Sequence, residues 1–209
     1  MKEKSGSRTL LMSVLMSSPG PIVVGLGLLA GRSSTQLADF VRRSAELLAI
    51  IVAFAVYQIT SGKTPRSGEE KGRLERLSNR FVGAAMCLSG CAMLLIALLG
   101  GDSEKGNVIP GLVIALLGVT ANSIFWLRYG ALSRETGNAI LAVQSRLYRA
   151  KTLVDGCVTI ALSSILLLPG SPVSEWLDRI GSVIVAVYLI HCGVTTLREH
   201  RASSDIQRS

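Results

Sequence analysis

Apolar and polar positions along the chain divide it into six runs of mostly apolar residues, each bounded by clusters of charge, Gly, Ser or Pro. A bilayer core about 30 Å thick needs roughly 20 such residues per helix. The runs predict membrane-spanning helices over residues 9–30, 37–60, 80–100, 107–130, 147–170 and 177–197, with a short tail at 201–209. The expected fold class is therefore all-α, a polytopic membrane protein whose six transmembrane helices fill residues 1–200. The first run is of span length and has no small-residue cleavage site behind a short apolar core, so it should stay in the mature chain as the first helix. Residues 61–79 mix Ser, Gly, Pro and both signs of charge and read as a solvated linker. After Arg198 only eleven residues remain, too few for a folded soluble domain.

Composition agrees with this pattern and narrows it. With 49% apolar and 17% charged residues, the chain is too hydrophobic for a disordered segment, and four cysteines are too few for a disulfide scaffold. The net charge of +8 would point to nucleic acid in a soluble protein, but here its location decides. Lys2, Lys4 and Arg8, the cluster from Lys63 to Arg80, the group Arg128, Arg134, Arg146 and Arg149, and Arg198, Arg201 and Arg208 all fall on one side of the predicted topology. Only Arg32, Lys105 and Arg179 fall on the other. Cytoplasmic loops retain Lys and Arg, so both termini are expected in the cytoplasm, in a multi-pass protein of the cell (inner) membrane. The surplus is a topology signal and an attraction for anionic lipid, with no nucleic-acid partner expected.

Ionisable groups inside the spans are the leads to function, because a bilayer tolerates them only where they face protein or a wet cavity. The second span holds Asp39, Arg42, Arg43 and Glu46; the fifth holds Lys151 and Asp155. Spacings of three and four residues put each set on one helix face. The three cations and three carboxylates cancel. At about 1.5 Å per residue, Glu46 and Asp155 both lie near the midplane and can meet there. The structural alternative is that Arg42 with Glu46, and Lys151 with Asp155, are i,i+4 ion pairs that lock two helices together. Retention of buried pairs by itself decides nothing, since desolvation can exceed their attraction.

The pattern resembles the cation diffusion facilitator (cation efflux) family of six-helix divalent-metal exporters. Its second helix reads A-D-x-x-H-x-x-x-D, where this chain has Ala38-Asp39-Phe40-Val41-Arg42-Arg43-Ser44-Ala45-Glu46; its fifth reads H-x-x-x-D, where this chain has Lys151-Thr152-Leu153-Val154-Asp155. Asn122 in Gly118-Val119-Thr120-Ala121-Asn122 is similar to the asparagine of the family's fourth helix. The resemblance implies a cation-efflux-like bundle, a homodimer and a small cation substrate, with metal positions falling on Arg42, Glu46, Lys151 and Asp155. Both carboxylates persist and both imidazoles are replaced by cations. Arg has no lone pair to offer a metal and Lys none until it loses a proton, so zinc binding is not expected, and Glu46 and Asp155 are the metal ligands if there are any. The readings left open are a proton-coupled cation transporter, a transporter whose different substrate displaces the internal cations as tethered surrogates, and a transport-incompetent relative in which ion pairs replace the metal as a brace. The family usually adds a C-terminal cytoplasmic domain, and members without it also occur.

Other candidates read more plainly. Cys87 and Cys91 with Gly83 form a small-residue stripe expected to serve helix packing. His191 is expected as an interior or interface residue. Pro19-Gly20-Pro21 should break the first span, and carbonyls freed there can line a cavity. Trp126, Tyr129 and Trp176 sit near span ends as interfacial anchors. No nucleophile paired with His and no nucleotide-binding fingerprint is present, so neither an enzyme nor a cofactor is expected.

Overall fold

The computed structural model describes residues 2–30, 34–61, 67–99, 108–167 and 172–206. Among these residues all regular structure is helical: α1 (Lys2–Ser17), α2 (Pro19–Ala30), α3 (Ser34–Thr60), α4 (Gly68–Leu99), α5 (Val108–Thr136), α6 (Ala139–Leu167) and α7 (Pro172–Ile206). The first two are halves of one crossing, so the seven helices make six passes. Pro19 and Pro21 have no N–H and cannot donate to the carbonyls of Leu15 and Ser17. Ser18 repairs one of these losses, its hydroxyl donating to the Leu15 carbonyl at 2.9 Å, while its own N–H still reaches the Val14 carbonyl at 3.0 Å. Four segments, Ser5–Leu26, Gly68–Leu98, Leu112–Thr136 and Ile180–Arg198, are long and apolar enough to cross a membrane. Helices α3 and α6, which carry the intramembrane charges, run among them.

Helix α4 packs along α7 and against α3, while α5 packs along α6 and touches α1. Buried between them are Ile50, Ala53 and Tyr57 of α3, Val82 and Met86 of α4, Tyr129 of α5, Leu147 and Tyr148 of α6 and Leu189 of α7. The outside of the bundle is also apolar. Leu98, Ile114, Leu117 and Leu167 are each more than 60% exposed, an arrangement that water would penalise and hydrocarbon favours. Small residues set the α4–α7 spacing. A Cβ built on Gly90 would stand 2.8 Å from the Ala186 carbonyl oxygen, and one on Gly193 would stand 2.7 Å from the Gly83 carbonyl oxygen and 2.6 Å from Cys87 Sγ. The Cys87 stripe is thus a packing seam.

The reading of residues 61–79 as a linker needs correction, since helix α4 begins at Gly68, twelve residues before the predicted span. Ser67 caps it by accepting the Glu70 N–H on its hydroxyl at 3.2 Å, and Glu69 and Glu70 lie in the first turn, where the helix dipole favours negative charge. Helices α5 and α6 likewise run past the predicted spans to a two-residue turn. Gly137 takes the left-handed φ of 65° that closes α5, and the Asn138 side-chain oxygen accepts the N–H groups of Ile140 and Leu141 at 3.0 and 3.3 Å to open α6. The side chains of Asp39, Trp176, Arg179 and His200, and residues Arg32, Lys63, Arg66 and Lys105, lie outside the described set.

Candidate functional site

Helix α3 presents Arg42, Arg43 and Glu46 on neighbouring positions of one face, and α6 presents Tyr148, Lys151 and Asp155 at spacings of three and four. The two faces meet across a cavity of about 450 Å³, closed by Asn122 and Gly118 of α5 and by Ser17, Gly20 and Pro21 at the broken first crossing. Of the residues singled out in sequence, the structure therefore gathers Arg42, Glu46, Lys151, Asp155 and Asn122 around one space. The Asp39 side chain is outside the description.

Of the two i,i+4 pairs that spacing along each helix suggests, Arg42 with Glu46 forms and Lys151 with Asp155 does not. Glu46, only 4% exposed, holds two cations: Arg42 Nη1 at 3.5 Å from one carboxylate oxygen and Lys151 Nζ at 3.4 Å from the other. Lys151 thus reaches across to α3 instead of pairing with Asp155 one turn along its own helix. Its ammonium also sits over the Tyr148 ring, 5.2 Å from the centroid, a cation–π contact that holds the head in the cavity. Asp155 has a different partner. Asn122 donates from Nδ2 to Asp155 Oδ2 at 2.6 Å, and the aspartate forms no ion pair among the described residues. Both residues line the 450 Å³ space.

Three features of the site escaped the sequence reading, and a fourth, Arg43, was read only as part of the charged stripe of the second span. Arg43 lines the cavity and approaches the broken crossing: a Cβ on Gly20 would stand 3.3 Å from its Nη1. Gly118 leaves the space that Asp155 fills, since a Cβ there would come within 2.5 Å of Asp155 Oδ2. Ser89 of α4 is fully buried beside Glu46, its hydroxyl outside hydrogen-bonding geometry. Tyr148 belongs to an aromatic cluster with Phe125 and Tyr129, ring centroids 5.1 to 6.1 Å apart, that borders the cavity toward the α5–α6 turn. Tyr129 is tied to α1 by its hydroxyl, which lies 2.7 Å from Ser13 Oγ and donates to the Thr9 carbonyl at 3.2 Å. Tyr129, read as an interfacial anchor, is instead fully buried in the core. In the sequence Arg43 stood in the charged stripe and Gly118 in the segment quoted for Asn122, while nothing pointed to Ser89 or Tyr148.

Chemically, the site offers hard oxygen donors and internal cations. No group of three His, Cys, Asp or Glu side chains is placed to hold a metal ion among the described residues. A carboxylate and an amide oxygen on one wall suit a hard cation, while the opposite carboxylate is already neutralised by Arg42 and Lys151.

A comparison with curated proteins finds no match to the chain. The family model described as the cation efflux transmembrane domain matches residues 10–203, nearly the whole chain, and the all-helical bundle with charged residues facing one internal cavity agrees with it. The chain is a multi-pass membrane protein that belongs to the cation efflux transmembrane domain family.

Proposed function

We propose that the protein carries a small cation across the cell (inner) membrane through the cavity between α3, α5 and α6, working as a homodimer with both termini in the cytoplasm. The observation that supports this is the inequality of the two carboxylates: Glu46 is held by two cations, whereas Asp155 forms no ion pair among the described residues and is held by Asn122. Asp155 and Asn122 then supply the first oxygen ligands to the substrate. Its positive charge repels the Lys151 head, which stays on Glu46, and the carried cation exchanges against protons. The preferred substrate is a hard cation and not zinc, because Arg42 and Lys151 stand at the two positions that the resemblance assigns to imidazole.

Proteoliposome flux tests the proposal. Cation-dependent flux should fall about a hundredfold in Asp155→Asn and respond to an imposed pH gradient. Unchanged flux in both Asp155→Asn and Glu46→Gln defeats it.

A second reading is favoured by one observation: Lys151 and Glu46 join α6 to α3 directly. On that reading the pair is a brace and the protein does not transport. Parent vesicles then show no flux for any cation, and the double variant Glu46→Leu with Lys151→Met recovers part of the stability that either single change loses.

A further inference from the structure

A second concavity, of about 580 Å³, lies between α1 and α5 on the outside of the bundle. Its walls are apolar along most of its length, with Met12, Met16, Leu117 and Ile124 more than half exposed within it. At one end stand Arg8 and Arg128. The Tyr129 hydroxyl donates to the Thr9 carbonyl at 3.2 Å, so the residues before them in sequence, Arg128 and Arg8, lie at the same level on adjacent helices. Both side chains are exposed, and neither forms an ion pair among the described residues. From Arg128 to Leu117 is eleven residues, about 16 Å of helix axis. That is half of a hydrocarbon core about 30 Å thick, or one leaflet.

We infer that this groove binds one anionic phospholipid, its phosphate between Arg8 and Arg128 and an acyl chain along Met12, Met16, Leu117 and Ile124. The match is of charge and of length. Two guanidiniums suit a phosphate, paired cations at the membrane surface favour a headgroup of net negative charge, and the apolar length suits a chain that ends near the midplane. The site also reaches the ion cavity. Met16, Ala121 and Phe125 line both spaces and form the wall between them. An acyl chain in the groove therefore braces that wall from the lipid side, so lipid occupancy supports the cavity's shape. The inference stands whether or not the cavity transports.

The test is native mass spectrometry of the purified full chain, exchanged into micelles doped with phosphatidylglycerol or phosphatidylcholine. One phosphatidylglycerol per chain should be retained at about a tenth of the concentration that phosphatidylcholine requires. The double variant R8Q/R128Q should lose that preference, and the control R73Q/R134Q, at the same end of the bundle, should keep it. Leu117→Trp fills the groove while leaving both arginines in place, and it should release the lipid even if the arginine variant does not fold. Equal retention of the two lipids overturns the inference, as does a preference that survives both variants. Displacement by millimolar inorganic phosphate would show a phosphate site with no part for the acyl chain, and overturns it too. A disulfide formed between Met12→Cys residues of two chains would show the groove covered by a second copy, again against the inference.

Discussion

Glu46 spends both carboxylate oxygens on cations of two different helices, and substituting it should take the carboxylate from both Arg42 and Lys151. Breaking a buried pair from one side costs roughly 3–5 kcal/mol, whereas removing both partners is often neutral. Glu46→Gln should therefore lower the unfolding midpoint in detergent markedly, and Glu46→Leu with Lys151→Met should restore part of it, since Arg42 still loses the Glu46 carboxylate. Gly118→Ala probes the other carboxylate. A methyl 2.5 Å from Asp155 Oδ2 forces that side chain off Asn122, so any flux should drop about tenfold while the unfolding midpoint moves by less than in Glu46→Gln. If Gly118→Ala transports as the parent does, the Asn122–Asp155 contact is not part of the pathway. The identity of the charged residues was legible in the sequence because spacings of three and four fix a helix face. Their pairing was not. Whether Lys151 meets Asp155 or Glu46 depends on how α6 is rotated against α3, and no periodicity within one helix carries that angle. Ser89 and Tyr148 were hidden for the same reason.

At the scale of elements, the six apolar runs foretold where helix would form, and the Pro19-Gly20-Pro21 break fell where backbone donors are missing. What the pattern misjudged was helix outside the apolar runs. The segment Ser67-Gly68-Glu69-Glu70 has the S-x-x-E form of a capping box, and the polar turns after it are rich in Glu, Lys, Arg and Leu, all good helix formers. Reading polarity as loop overrode that local signal. Ser67→Ala should accordingly cost about 1 kcal/mol and fray the first turns of α4, measured as faster amide exchange from Glu69 to Leu74 with the cavity unchanged. The α4–α7 seam makes a harsher test. Gly90→Leu would drive a branched side chain into the Ala186 carbonyl and the Ile190 side chain, an overpacking of roughly 1–3 kcal/mol at least, because backbone on both sides leaves little room to yield. Thermal unfolding that matches the parent would mean that the two helices separate more easily than their contact implies.

For the molecule as a whole, the cavity is unevenly placed between the two ends of the bundle. Its lining runs along α6 from Tyr148 to Leu162, fourteen residues or about 21 Å of axis, away from the α5–α6 turn. Toward that turn the clustered rings of Phe125, Tyr129 and Tyr148 intervene, and Tyr129 fastens them to α1 through Ser13 and Thr9. Six passes put both termini and the α5–α6 turn at the same end, the one proposed above to be cytoplasmic. The expected access to the site in this conformation is therefore from the opposite end. A cysteine at Leu162, in a chain whose four native cysteines are replaced, should react with a membrane-impermeant thiol reagent added at the opposite face, and one at Gln144, fully buried on α6, should stay protected from reagent added at the terminal face. Tyr129→Phe keeps the ring cluster but loses both hydroxyl contacts, together worth about 2 kcal/mol, or roughly thirtyfold in the population of an opened state. Protection at Gln144→Cys should fall accordingly in that background. If labelling at Gln144→Cys is the same with and without the Tyr129 hydroxyl, the aromatic layer is only a packed core, and access to the site from the terminal end must be controlled elsewhere.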